Sequence, residues 1–392
     1  MNQQHSATAP ASSAPDSTVP SASSLPISKA VPRVAGKTDL DSLVALEDRC
    51  FASDRLSRRQ FRHLLQRGNA QILVIDADAH GLAAAIVVLF RRATSIARLY
   101  SIAVDPDQRG RGFAQTLVAA AEAEAWAQSR AWMRLEVRKD NTASIGLFER
   151  LGYRRFGEYR DYYEDHMDAW RFEKQLDPGL KPPLARVPYY EQTLDFTCGA
   201  ACLIMAMQAL KPDEQPDRKL ELRLWREATT IFMTSGHGGC GPYGLALAAK
   251  HRGFDVQVFV SDREPHLIES VRSDAKKEVM SLVQEDQEEQ LQREGVPIST
   301  DVPDIVALEA LFHDGHIPLV LISSWQIYQE RWPHWVVING FDEHFIYVHD
   351  PFVDYDNGEN RLDSINMPIS REQFTRMARY GRRGLQAVIT LR

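Results

Sequence analysis

The chain has 392 residues, more than one ordinary hydrophobic core organises, so two domains are expected. Its formal net charge of −7, with 44% hydrophobic and 25% charged residues, describes a globular protein and gives no basis for a nucleic-acid partner, whose binding modules carry a basic stripe. Four scattered cysteines, Cys50, Cys198, Cys202 and Cys240, lack paired zinc-ligand spacing and are too few to staple the chain; free thiols, a reducing cytoplasm and no metal are expected.

Residues 1–31 are rich in Ala, Ser, Pro and Thr and bury too little to offset their ordering entropy, so a disordered tail is expected. No apolar run approaches the ~20 residues that cross a bilayer, and no charged start followed by an apolar stretch marks a secretory signal. From Pro32 helical and strand patterns alternate. Leu40–Cys50 and Ser57–Gln66 read as helices, Gln71–Asp76, Leu82–Phe90 and Ala97–Val104 as strands, and Ala114–Ser129 as an Ala-rich helix. Trp132–Val137 is a further strand, Thr142–Leu151 a helix, and Ala169–Leu176 a closing strand.

Three prolines and a glycine within residues 177–183 stop both helix and sheet and mark a stiff linker. Beyond it, Thr197–Leu210 and Gly244–His251 read as helices and Asp255–Val260 as a strand. Asp262–Arg293 is a mixed-charge helical stretch with one apolar face at Val271, Ala275, Val279 and Leu282, either a surface helix or a lid. His334–Gly340 and Phe345–His349 form a hairpin-like pair.

Two places carry chemistry. In the first, the strand ending at Val104 runs into Arg109-Gly110-Arg111-Gly112-Phe113-Ala114 and then a helix. Small residues let successive backbone N–H groups surround an anion, and the helix start adds partial positive charge, so this is a pyrophosphate site. With Leu135-Glu136-Val137-Arg138, Asn141 and Leu147-Phe148-Glu149-Arg150-Leu151-Gly152-Tyr153, the segment resembles the GNAT acetyltransferases. The second run is similar to the branch that acetylates the N-terminal alanine of a ribosomal protein. The resemblance implies acetyl-CoA as co-substrate, with its pantetheine arm along Ile102, Ala103 and Val104. It also implies the pyrophosphate on Arg109, Gly110, Arg111, Gly112, Phe113 and Ala114, and Asn141 beside the cofactor. Glu136 stands where that branch has its general base. The branch's acidic tyrosine is replaced here by Phe148, leaving Tyr153, Tyr162 or Tyr163 as stand-ins.

In the second place Thr197 is an expected N-cap that sets Cys198 in the first turn of an apolar helix, where the helix dipole favours a thiolate. If the terminal hairpin turns about Asp342, His334 faces Asp350, and a carboxylate stands beside an imidazole. Cys202, one turn after Cys198, is expected in the core and Cys240 in a more exposed loop; no ligand spacing makes His237, His344 and His349 a metal site. Gln192, Cys198-Gly199, His334-Trp335-Val336-Val337 and Asp350-Pro351 resemble the C39 peptidases, which have a papain-like fold and trim leader peptides. That resemblance implies a Cys-His-Asp arrangement, with Gln192 polarising an oxyanion.

The expected whole is a mixed α/β (α+β) protein: a GNAT fold over residues 32–176 and a C39-like papain fold over residues 184–392. The expected activity is acetyl transfer to an amine, a peptide or protein N-terminus, coupled to a thiol peptidase. The second domain as a catalytically silent peptide-binding module is the alternative.

Overall fold

The computed structural model describes residues 31–66, 69–77, 81–176, 187–212, 216–229, 238–268, 271–330, 332–355 and 361–392. The expected tail, the linker at 177–183 and His237 lie outside the described residues. Among the described residues no helix is long and apolar enough to cross a membrane.

The first half contains strands β1 (Arg33–Val34), β2 (Ala70–Asp76), β3 (Leu82–Phe90), β4 (Ile96–Val104), β5 (Trp132–Arg138), β6 (Arg154–Tyr159) and β7 (Ala169–Gln175). Helices α1 (Leu40–Cys50), α2 (Arg58–Leu64), α3 (Phe113–Ala127) and α4 (Thr142–Arg150) alternate with them. The sheet order is β1-β2-β3-β4-β5-β7-β6, antiparallel except for the β4–β5 pair. Its central strands are apolar at consecutive positions because both faces are covered. Ile72, Val74, Ala85 and Val87 meet α1 and α2 through Leu43, Leu46 and Phe61, whereas Leu73, Ile75, Ala84 and Ile86 meet Leu117, Val118 and Ala121 of α3.

One irregularity in this sheet matters for the site. The parallel β4–β5 pairing runs from Ile96↔Trp132 to Leu99↔Leu135 and ends there. At the same level the β3–β4 register shifts between Val87↔Ser101 and Val88↔Leu99, so Tyr100 is the extra residue of a bulge. A bulge bends and twists the strand that carries it. Past it, Ser101–Val104 stays on β3 and diverges from β5, opening a cleft in the sheet.

The second half contains helices α5 (Cys198–Leu210), α6 (Arg218–Ala228), α7 (Pro242–Lys250), α8 (Asp274–Arg293), α9 (Ile305–His313), α10 (Trp325–Tyr328) and α11 (Arg371–Met377). Its strands are β8 (Val256–Val260), β9 (Ile298–Ser299), β10 (Ile317–Ser323), β11 (Pro333–Phe341), β12 (Phe345–His349), β13 (Met367–Ser370) and β14 (Ala387–Leu391), in the order β13-β12-β11-β10-β14-β8-β9. Helix α5 is apolar all round and buried from Cys198 to Met207, packed on β10 and β11.

The expected elements stand within a few residues, with two corrections here. Within the stretch at 262–293 the α-helix begins at Asp274. Its expected apolar face is turned outward, with Val279 and Leu282 exposed, while Met280, Gln284, Gln287 and Leu291 are buried. The reason is polar: Gln284 accepts the His266 N–H at 2.7 Å and donates to the Arg263 and Glu264 carbonyls, and Gln287 packs over Gly244 of α7. Cys240, expected in an exposed loop, is buried against Gly199, where an added Cβ would stand 2.9 Å from it.

The two halves pack together. Ile96, Ala131 and Trp132 share a small core with Phe345 and Tyr347 of β12, and the Ser95 N–H donates to the Pro368 carbonyl at 2.8 Å.

Candidate active sites

The first site lies in the β4–β5 cleft. A cavity of about 770 Å³ is lined there by Ile102, Glu136, Asn141, Phe148, Tyr162 and Tyr163, among others. The Glu136 carboxylate is buried and receives Arg98 Nε at 2.8 Å, while Arg171, directly opposite on β7, stands at 3.5 Å. Arg98 also donates to the Tyr162 hydroxyl at 2.6 Å. Neither arginine is singled out from the sequence, although Arg98 is a lone charge in an apolar strand, and an ion pair or site is the usual reason for such a charge.

The turn before α3 takes the expected form. Gly110 and Gly112 have φ of +80° and +82°, a conformation costly for any side chain, and α3 starts at Phe113. The first-turn N–H groups from Phe113 onward have no partner within the helix, so they face outward with Arg109 and Arg111 at the turn. The Phe113 side chain itself is buried in the core under the Arg111 guanidinium, 4.9 Å from the ring centroid. Ala103, Val104 and the Arg109–Ala114 turn lie beyond the lining of the cavity, whereas Ile102 is part of it. Asn141 lines the cavity but spends its side-chain oxygen capping α4 through the Ser144 N–H at 3.0 Å.

The three stand-in tyrosines separate by position. Tyr153 is buried edge-on against Phe148, outside the cavity lining, and burial pushes its phenol far up. Tyr162 and Tyr163 line the cavity. Burial, and then the Glu136 charge, push the Tyr162 phenol up to about 12, so it stays protonated across the working range.

The second site forms where α5 starts beneath β11. Nε2 of His334 lies 2.6 Å from Oδ1 of Asp350, and Cys198 is among the groups that raise the ring's affinity for a proton. Burial lowers the imidazole, but the Asp350 charge, its hydrogen bond and Cys198 together lift it to about 10. Asp350 is fully buried; burial raises its carboxyl, and His334, with a 2.7 Å hydrogen bond from the Tyr328 hydroxyl and a 2.9 Å bond from the Phe352 N–H, brings it below the usual range.

Thr197 precedes α5 as expected but makes no side-chain cap; its hydroxyl points to Glu221 and to the Leu194 carbonyl. Glu221, fully buried on α6 and unremarked in the sequence, also accepts the Thr193 N–H and hydroxyl, each at 2.8 Å, and the Tyr190 hydroxyl at 3.1 Å. It ties down the loop that carries Gln192 and leads into Cys198 at the start of α5. The Gln192 amide nitrogen donates to the Leu194 carbonyl at 2.9 Å, and its buried oxygen has no partner among the described residues. Cys202 is core, its sulfur 3.2 Å from the Trp335 carbonyl. His349 uses Nε2 on the Val187 carbonyl and Nδ1 on the Asn366 N–H, a structural role.

A sheet parted beside a glycine turn is the architecture of an acyltransferase half, and in the other half the His334–Asp350 pair stands by the start of the helix that carries Cys198. Residues 187–392 match the Peptidase_C39 like family, and the chain belongs to that family; residues 40–153 match the acetyltransferase (GNAT) family, and the first half is an N-acetyltransferase domain of the GNAT type. The chain is 31% identical over 139 residues to the [Ribosomal protein bS18]-alanine N-acetyltransferase of Salmonella typhimurium, covering 35% of this chain and 90% of that one. It is 43% identical over 54 residues to an acetyltransferase of Yersinia pestis, covering 14% of this chain and 38% of the other. Among solved structures, the ribosomal-protein-S18-alanine N-acetyltransferase of Escherichia coli is similar at 26% identity and a TM-score of 0.35, covering 39% of this chain and 99% of that one.

Proposed function

We propose that the first domain transfers acetyl from acetyl-CoA to the α-amine of a peptide or protein, and that the second cleaves a peptide with Cys198 as nucleophile. The observation that carries the first part is the Glu136 carboxylate, its side chain nearly covered, at the wall of a cavity that opens where β4 leaves β5. The freed edge of Ser101–Val104 offers backbone groups to a pantetheine arm, and the Arg109–Ala114 turn offers N–H groups to a pyrophosphate. The amine nitrogen attacks the thioester carbonyl, the C–N bond forms, the C–S bond breaks, and the amine proton passes through water to Glu136.

An α-amine is favoured over a lysine. With a pKa of ~7.7–8.0 it is roughly a tenth or more neutral at pH 7, whereas lysine at ~10.4 is under a thousandth neutral. Asp54, Glu164 and Asp165 also line the cavity, and the Asp54 and Glu164 loops are joined by a 2.9 Å hydrogen bond across its rim. Arg138, also in the lining, pairs with Asp165 at 2.7 Å, which leaves Asp54 and Glu164 as the carboxylates that suit an incoming ammonium. Tyr162 stands in for the missing tyrosine by hydrogen bonding to the departing thiolate. A phenol raised to about 12 gives up its proton to a thiolate only unfavourably, so it stabilises the leaving group without protonating it.

In the second domain an imidazolium beside sulfur is the arrangement that makes a thiolate nucleophile, and Asp350 orients the ring. One observation favours the silent binding module instead: Gln192 turns its N–H toward Leu194 and leaves its oxygen buried, the wrong polarity for an oxyanion. Acetyl-CoA turnover against a panel of N-terminal peptides, with Glu136→Gln and Cys198→Ala in parallel, tests both halves. Loss of acetyl transfer only in the first variant, and of peptide cleavage only in the second, supports the assignment. Cleavage that survives in Cys198→Ala sinks the peptidase reading.

A further inference from the structure

The buried charges around Glu136 continue into the second domain. Arg171 is fully buried, with Glu136 Oε1 at 3.5 Å on one side and Asp363 Oδ1 at 2.8 Å on the other. Asp363 ends a one-turn helix, Arg361–Asp363, of the second domain. The Tyr159 hydroxyl donates to its Oδ2 at 3.2 Å, Arg134 lies 3.7 Å from Oδ1, and Arg91 donates to its carbonyl at 2.9 Å. The Arg171 guanidinium is sandwiched by the rings of Phe156 and Tyr159, at 4.6 and 4.7 Å. The segment is pinned from its own side as well: the Ser364 carbonyl accepts the Asp350 N–H at 3.0 Å, and the Ser364 hydroxyl donates to the Phe352 carbonyl at 2.8 Å.

We propose that Asp363 is a positioning residue of the acetyl-transfer site, supplied by the second domain, which holds Arg171 in place beside Glu136. This rests on the assignment of Glu136 as the base. A buried guanidinium with one carboxylate in reach closes on it with two parallel hydrogen bonds and occupies both oxygens. Asp363 takes the Arg171 Nη2 contact, so Arg171 meets Glu136 only at the longer Nε distance, and Glu136 keeps capacity for water and the amine. The transferase site is therefore complete only while the second domain is docked, through a segment that is itself bonded to the backbone of Asp350.

The test uses the full chain, with steady-state kinetics of Asp363→Asn, Asp363→Glu and Glu136→Gln, and the double variant of Asp363→Asn with Glu136→Gln. Asp363→Asn is expected to lower kcat by roughly tenfold while KM for acetyl-CoA stays within about twofold, because the groups around Asp363 are not those assigned to the coenzyme. Asp363→Glu, which keeps the charge, should recover most of kcat. In the Glu136→Gln background the Asp363→Asn change should cost nothing more. Equal fold losses in both backgrounds, or an unchanged kcat in Asp363→Asn, overturn the proposal. A Glu136→Gln chain with native kcat identifies the failure as that of the base assignment, since that arm is read without any change at 363. If Asp363→Asn does not fold, Tyr159→Phe, which removes one hydrogen bond to Asp363, should lower kcat in the same direction by a few-fold, and an unchanged kcat there overturns the proposal.

Discussion

His334 and Asp350 touch at 2.6 Å although they are not opposite one another in the hairpin. The observed register pairs Val337 with His349 and Ile338 with Val348, so its extension sets Phe352 against His334 and places Asp350 two residues away on the diagonal. Diagonal neighbours are within reach of long side chains, and an imidazole spans the gap. Asp350→Asn should destabilise the second domain by about 3–5 kcal/mol near neutral pH, because it strands a buried imidazolium. The sign follows from both partners. The His334 contribution is full below its unfolded value of about 6.5 and fades as pH rises to about 10, and the Asp350 contribution fades as pH falls below the ordinary carboxylate range. Urea unfolding should show the widest gap between about pH 4 and 6.5, closing by about pH 10; a gap that widens with alkalinity contradicts the ion pair.

Cys198 should react with iodoacetamide at pH 7 at least about tenfold faster than Cys202 or Cys240, whose thiols burial pushes up. Peptide mapping after timed alkylation reads this directly. Asp350→Asn should slow labelling of Cys198 alone. Equal rates at all three cysteines would fit the silent binding module.

Glu136→Gln should lower kcat on an α-amine peptide by roughly 10²–10⁴-fold at pH 7. The deficit should shrink above about pH 8, where the amine is already neutral and a base is no longer needed. A deficit constant from pH 6 to 9.5 would mean that Glu136 does not accept the amine proton.

Gly112→Ala places a side chain at φ +82° with nothing among the described residues within 4 Å of the new Cβ, so its cost is backbone strain. About 1–2 kcal/mol of strain at the turn should appear as a raised KM for acetyl-CoA, with kcat on saturated enzyme little changed. Unchanged coenzyme affinity by calorimetry would remove the turn from the binding site.

Tyr162→Phe should reduce kcat by about 3–10-fold, and adding Phe148→Tyr should restore part of it, since both rings line the cavity. Rescue is the informative arm. If Phe148→Tyr improves the native chain but not Tyr162→Phe, the two hydroxyls do not serve one leaving group.

What the sequence determined by itself is local. Short continuous apolar strands, the Gly110–Gly112 turn into a helix, and a thiol at a helix start are written within short windows, since each depends on the backbone geometry of a few consecutive residues. Tertiary structure decided the rest. The Tyr100 bulge that opens the cleft, the two-residue offset that makes Asp350 diagonal to His334, and the inward face of α8 all depend on partners far along the chain. Glu221 under the thiol loop, held by hydroxyl and N–H donors, and the Arg98 and Arg171 clamp on Glu136 are long-range pairings, and nothing local says which partner each charge will meet. Burial chooses those partners, because a charge taken out of water must find a counter-charge wherever the fold brings one.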